Sequence, residues 1–179
     1  MKKNIIKIIS PSIICALIIL LTELPLEYYP ISFGLIIGLT NWNLHKYKPY
    51  LGVLLSVLAS FVSFFIAFYS SFLVENLVDF IFKETDYFVG DESRGTLTFI
   101  ISPFIIAPIL VFLVYSYIFN FPKVKRTTMI ILISIVLLVL NACLAFYYGI
   151  GKPYVFWQVI MALAIQLIVY QKTIIKTLK

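Results

Sequence analysis

Residues 28–44 read YYPISFGLIIGLTNWNL, and whether this stretch crosses a lipid bilayer decides the topology of the whole chain. Its strictly apolar part, 31–39, is short, since about 20 apolar residues at ~1.5 Å each are needed to cover ~30 Å of hydrocarbon. Five flanking runs, 5–22, 49–74, 97–119, 127–150 and 154–170, meet that length fully or nearly. Lys and Arg collect in cytoplasmic loops, and this rule arbitrates. With six crossings and the N-terminus inside, the inner side holds Lys2, Lys3, Lys7, Lys46, Lys48, Lys123, Lys125, Arg126, Lys172, Lys176 and Lys179, which is eleven of the fourteen basic residues. Only Lys83, Arg94 and Lys152 then lie outside, whereas skipping 28–44 divides the same residues 6 against 8. The sequence therefore predicts an all-α integral membrane bundle of six transmembrane helices, with both termini cytoplasmic.

The acidic residues follow the same division. Glu23, Glu27, Glu75, Asp79, Glu84, Asp86, Asp91 and Glu92 all fall outside in that topology. Tyr28 and Tyr29 mark the outer interface of the short helix and Trp42 the inner one, as aromatic belts do. The third run continues beyond 74 to 82, too long for one crossing, so its end is expected to bend along the outer surface with Glu75 and Asp79 on one face. Residues 83–96 are then the one sizeable loop, acidic and extracytoplasmic.

Composition supports a single membrane domain spanning 1–179. Hydrophobic residues make up 62% and charged residues 12%, against about 45–50% and about 25% in soluble domains. The net charge of +6 is explained by the inner loops, so no nucleic-acid partner is expected. The basic start followed by an apolar run also resembles a signal peptide. No small-x-small site follows it, and an uncleaved first helix is expected. Lys-rich and Ile-rich usage fits a bacterial inner membrane, with the lipid bilayer as the first partner.

Several features bear on function. The third helix carries a seam of small residues, Gly52, Ser56, Ser60, Ser63, Ala67 and Ser70, and the second carries Gly34-x-x-x-Gly38. Small side chains let membrane helices approach closely, so both are expected packing faces, within the chain or between copies. Gln158 and Gln166 share a stripe on the last helix, and Ser134 and Asn141 a face on the fifth. Polar side chains in lipid seek hydrogen bonds, which makes them either interhelical ties or the face of a polar-solute site or pore.

No Asp, Glu, Lys, Arg or His lies mid-span, which argues against a proton relay or voltage sensor. His45 is the one histidine and has no neighbouring acid or thiol for a triad or zinc site. Cys15 and Cys143 both fall inside apolar runs as small hydrophobes. Glu75, Asp79, Glu84, Asp86, Asp91 and Glu92 form an outer acidic surface without a calcium-loop spacing. No cofactor, metal centre or catalytic group is expected.

The stretch Asp91-Glu92-Ser93-Arg94-Gly95-Thr96-Leu97, followed by Ser102-Pro103, resembles the acidic E-x-x-G-T-L segment of ABC-2-type exporter permeases. In that family the segment is cytoplasmic, opposite to the side the charge rule assigns here, so no role is carried over. In size and helix number the chain is also similar to the substrate-binding S-components of energy-coupling-factor vitamin importers and to the bacterial rod-shape membrane proteins. That resemblance implies a format alone and transfers no residue.

The resulting expectation is a non-enzymatic multi-pass membrane subunit. It would act through helix packing, as a homo-oligomer or with a membrane or cytoplasmic protein partner, in a sensor, anchor, immunity or pore role. The alternative is a small-solute transporter component in the S-component format.

Overall fold

The computed structural model describes residues 2–22, 25–82, 91–149, 152–171 and 173–174. Among these the chain is all helical: α1 (Lys2–Thr22), α2 (Tyr29–Thr40), α3 (Pro49–Phe82), α4 (Asp91–Ile101), α5 (Ala107–Ile118), α6 (Lys125–Tyr148) and α7 (Pro153–Val169). A single 3₁₀ turn, Leu26–Tyr28, leads into α2, and a π-helical turn, Ser102–Ile106, joins α4 to α5 in one path. In hydrocarbon every backbone N–H and C=O must be satisfied within the segment, and apolar helices meet that demand. Hydroxyls inside the helices fold back onto carbonyls of the preceding turn, as Thr40 does on Ile36 and Ser134 on Ile130. Prolines open α3 and α7, where a missing N–H costs nothing, and Gly149 in the left-handed region (φ 65°) closes α6.

Four helical stretches are long and apolar enough to cross a membrane: Ile5–Thr22, Pro49–Ile81, Gly95–Ile118 and Lys125–Tyr148. The α7 helix is equally apolar but has 17 residues. Outward faces carry large aliphatic side chains in rows, as on α6 with Leu132, Ile133, Val136 and Leu140. Contiguous apolar surface of that extent is untenable in water and ordinary against lipid, giving the chain multi-pass membrane character.

Three boundaries differ from the sequence reading. The 28–44 segment is helical only over Tyr29–Thr40, because Asn41 turns its amide back onto Ile37 O (2.9 Å) and the chain leaves as a turn. At about 1.5 Å per residue those 12 residues rise about 18 Å. The third helix, expected to bend after residue 74, runs unbroken through all 34 residues to Phe82. Of the expected loop 83–96, residues 83–90 lie outside the described residues, and Asp91 to Thr96 belong to α4. Asp and Glu suit the positive end of a helix, which accounts for the early start.

The core is built where the helices meet. Cys15, Phe33, Ile37, Phe104, Tyr115, Leu138, Met161 and Ile165 are all fully buried. Helix α2 packs along the first half of α3, α1 along α7, and α6 against α7, while α5 reaches the first half of α3 through Tyr115 and the π-turn the second half through Ser102. A short antiparallel bridge between His45 and Phe119 joins the turn after α2 to the end of α5.

Candidate functional site

The small-residue seam of α3 decides how the helices approach. A Cβ on Gly34 would lie 2.6 Å from the Ser56 carbonyl oxygen and from Val57 Cα, and one on Gly38 would lie 2.9 Å from Val53 Cα. Backbone therefore meets backbone between α2 and α3, and only glycine fits. Gly52 leaves the same kind of room for the His45 ring. Further along, the Tyr115 hydroxyl donates to Ser56 O (3.1 Å), so the Ser60 hydroxyl, 2.8 Å away, must donate to Tyr115. Beyond that, the Ser70 and Ser102 hydroxyls lie 2.8 Å apart and both reach Ala67 O. Ser63 is buried in the same row. The seam thus faces α2, α5 and the π-turn of its own chain.

The π-turn has a local cause. Pro108 has no N–H, and the N–H of Ala107 bonds Ser102 O, five residues back. Pro103 O is thereby left without the backbone donor that either helical register would supply. The indole Nε1–H of Trp157 takes the place of that donor at 2.8 Å. Trp157 is held by Phe33, whose ring meets it edge-on with centroids 5.6 Å apart.

Because the π-turn displaces the wall and α2 is short, the helices do not close completely. They leave a cavity of about 470 Å³ between the start of α2, the second half of α3, the α4–α5 path and the start of α7. Its body is aromatic, with Phe33, Phe64, Phe68, Phe99, Tyr154 and Trp157 among the lining residues. Polar groups are fewer: Ser60, Ser71, Thr98, Ser102 and Gln158, the tyrosines Tyr29 and Tyr154, and Glu75 as the acidic lining residue. Gln158 is 2% exposed, and its amide N–H donates to Tyr29 O at 3.0 Å. A carbonyl can only accept, so the NH₂ must face Tyr29 and the oxygen must face away. That oxygen, Gln158 Oε1, is buried without a partner, as is Thr98 Oγ1. Volume, apolar lining and a few convergent polar atoms are the usual attributes of a small-molecule site.

The residues expected to form one polar face are not brought together. Gln158 lines the cavity, whereas Gln166 is fully buried beside Thr40 (3.5 Å) toward the other end of α2. Ser134 bonds its own backbone, and the Asn141 amide lies 3.5 Å from Pro153 O. A pore needs a continuous polar path, and these four contacts point in separate directions. Of the outer acidic set, Glu75 and Asp79 are exposed on α3, Asp91 and Glu92 lie in the first turn of α4, and Glu84 and Asp86 fall outside the described residues. No group of three His, Cys, Asp or Glu side chains converges among the described residues.

His45, at the opposite end from the cavity, stacks on Phe119 with centroids 4.9 Å apart and has Nδ1 3.1 Å from Trp42 O. Lys46 fastens the same joint, its N–H donating to Ile118 O and its Nζ to Ser116 O, each at 3.0 Å. Burial holds the imidazole below its usual pKa, with the Trp42 carbonyl acting the other way.

Sequence reasoning missed Thr98, Ser102, Tyr115 and Trp157. Two prolines five apart, Pro103 and Pro108, within one apolar run were the available signal that a helix there would be irregular. Comparison with known protein families, with curated proteins and with solved structures finds no match to this chain.

Proposed function

We propose that this chain is a non-enzymatic, membrane-embedded binding component that captures a small, largely apolar molecule in the α2–α3–α4–α7 cavity, in the manner of a transporter's solute-binding subunit. The carrying observation is the cavity of about 470 Å³ whose wall holds a buried amide oxygen, Gln158 Oε1, with no partner. An unsatisfied buried polar atom costs about 1–3 kcal/mol, which a guest that meets it would offset; Gln166 Oε1 and Asn41 Oδ1 are also unpartnered, but away from the cavity.

The accompanying topology is six crossings with both termini cytoplasmic and the cavity in the outer half. Its support is the division of basic residues together with three contacts. The His45–Phe119 bridge and the Thr127–Gln171 hydrogen bond (3.0 Å) gather the basic turns at one end of the bundle. The Gln158–Tyr29 bond gathers the cavity elements at the other.

The test is thermal unfolding of the detergent-solubilised protein against a panel of small amphipathic molecules. A ligand of the native state raises the midpoint in proportion to RT ln(1 + [L]/Kd). Binding by the native protein that Gln158→Leu weakens supports the reading; a panel with no stabilising member removes it.

A second reading, a subunit acting through another membrane helix, has its own observation. Phe61, Phe65 and Tyr69 form an aromatic ridge on α3 away from the cavity lining, with Phe61 and Phe65 centroids 4.6 Å apart. Copurification of a partner that is lost when Phe65 and Tyr69 become Leu supports this reading; unchanged behaviour counts against it.

A further inference from the structure

Resting on the reading of the cavity as a binding site, we infer that its ligand is a hydrogen-bond donor with an apolar, ring-bearing body, and that it carries a positive charge: a hydrophobic amine.

The donors are already committed. The indole N–H of Trp157 is on Pro103 O, the amide N–H of Gln158 is on Tyr29 O, and the Ser60 hydroxyl is on Tyr115. Ser102 donates to Ala67 O and Ser71 to Phe68 O. What is left over accepts. Gln158 Oε1 has lone pairs and no hydrogen, and Glu75 contributes carboxylate oxygens. The hydroxyls of Thr98, Tyr29 and Tyr154 serve either role and do not discriminate. No Lys, Arg or His is among the lining residues that the structure describes.

Among the described lining residues an anion would meet Glu75 and no cation. A donor-bearing cation meets the carboxylate, the amide oxygen and a wall of aromatic rings that includes Tyr154 and Trp157. Gln158 Oε1 is covered by neighbouring atoms, so a donor reaches it only where the wall parts around it with the amide N–H still on Tyr29 O. The net charge of the whole chain is +6, which favours anions non-specifically. Selection of a cation would therefore have to come from the site itself.

The experiment uses three ligands of one shape, 1-naphthylmethylamine, 1-naphthylmethanol and 1-naphthoate. They are titrated calorimetrically at about pH 7 into the full chain in a neutral maltoside detergent, and again in zwitterionic nanodiscs. The amine is expected to bind about tenfold tighter than the alcohol or better, and the carboxylate weakest. Glu75→Gln, an exposed position whose change leaves the fold intact, should bring the amine to the level of the alcohol without weakening the alcohol. Gln158→Leu should weaken amine and alcohol alike. If the carboxylate binds as well as the amine, or if Glu75→Gln leaves the amine's advantage in place, the ligand class is wrong and the binding cavity stands. If none of the three binds to the native protein, the cavity reading falls with it.

Discussion

The indole Nε1–H of Trp157 lies 2.8 Å from the carbonyl oxygen of Pro103, and it stands in for a backbone hydrogen that proline cannot supply. The pair ties α7 to the π-turn and holds the cavity wall in its displaced position. Trp157→Phe keeps a ring against Phe33 and removes the donor, orphaning Pro103 O. A loss of about 1–3 kcal/mol is expected, read as a lower unfolding midpoint in detergent. Pro108→Ala restores an N–H within reach of that carbonyl, so the double variant should lose less than the sum of the single losses.

The approach of α2 to α3 should be intolerant of one methyl group. In Gly34→Ala the new Cβ meets backbone, not a side chain that can turn away, and overpacking of this kind costs about 1–3 kcal/mol. Gly95 supplies the control, since a Cβ there meets nothing within 4 Å. Gly95→Ala lies inside α4 and should be neutral or stabilise by up to about 1 kcal/mol. Equal losses at both positions would show that the midpoint is not reporting this contact.

Tyr115→Phe deletes one hydroxyl that serves two bonds, to Ser60 and to Ser56 O. Interhelical hydrogen bonds in membranes are worth about 0.6 kcal/mol on average and up to about 1.7. Ser60 can also turn back to its own helix. The expected cost is therefore small, about 0.5–1.5 kcal/mol, and smaller than that of Gly34→Ala measured in the same detergent.

The His45 joint should weaken in acid. Its pKa is lowered in the folded chain, so the unfolded chain takes up the proton first as pH falls. The stability it contributes is complete above the usual imidazole value and is lost as pH drops through that value toward the lowered one. Unfolding midpoints between about pH 8 and about pH 5 should decline in the native protein and stay flatter in His45→Phe, which keeps a ring on Phe119 without a titratable group. Parallel profiles for the two proteins would exclude the joint as the source.

The long helices were legible because a run of 18 or more apolar residues has few other solutions in lipid. The limits of α2 were not. Thr40 and Asn41 end it through side-chain bonds to Ile36 and Ile37, a choice that depends on neighbouring helices as much as on the chain itself. The glycines and serines of α3 could be read as a packing face, but their partners Tyr115 and Ser102 are hydroxyls in apolar runs with no periodic signature. Gln158 was visible as an amide in lipid. That its oxygen lacks a partner follows only from the position of Tyr29, 129 residues away in the chain.

The ring of His45 lying flat on Phe119 has a mechanical corollary. It clamps two turns together at the end of the bundle remote from the cavity, where Lys46 also grips the last carbonyls of α5. If the proposed binding requires the helices to part, this joint is where they are tied most firmly, and the cavity lining of Phe72 and Leu26 lies at the other end.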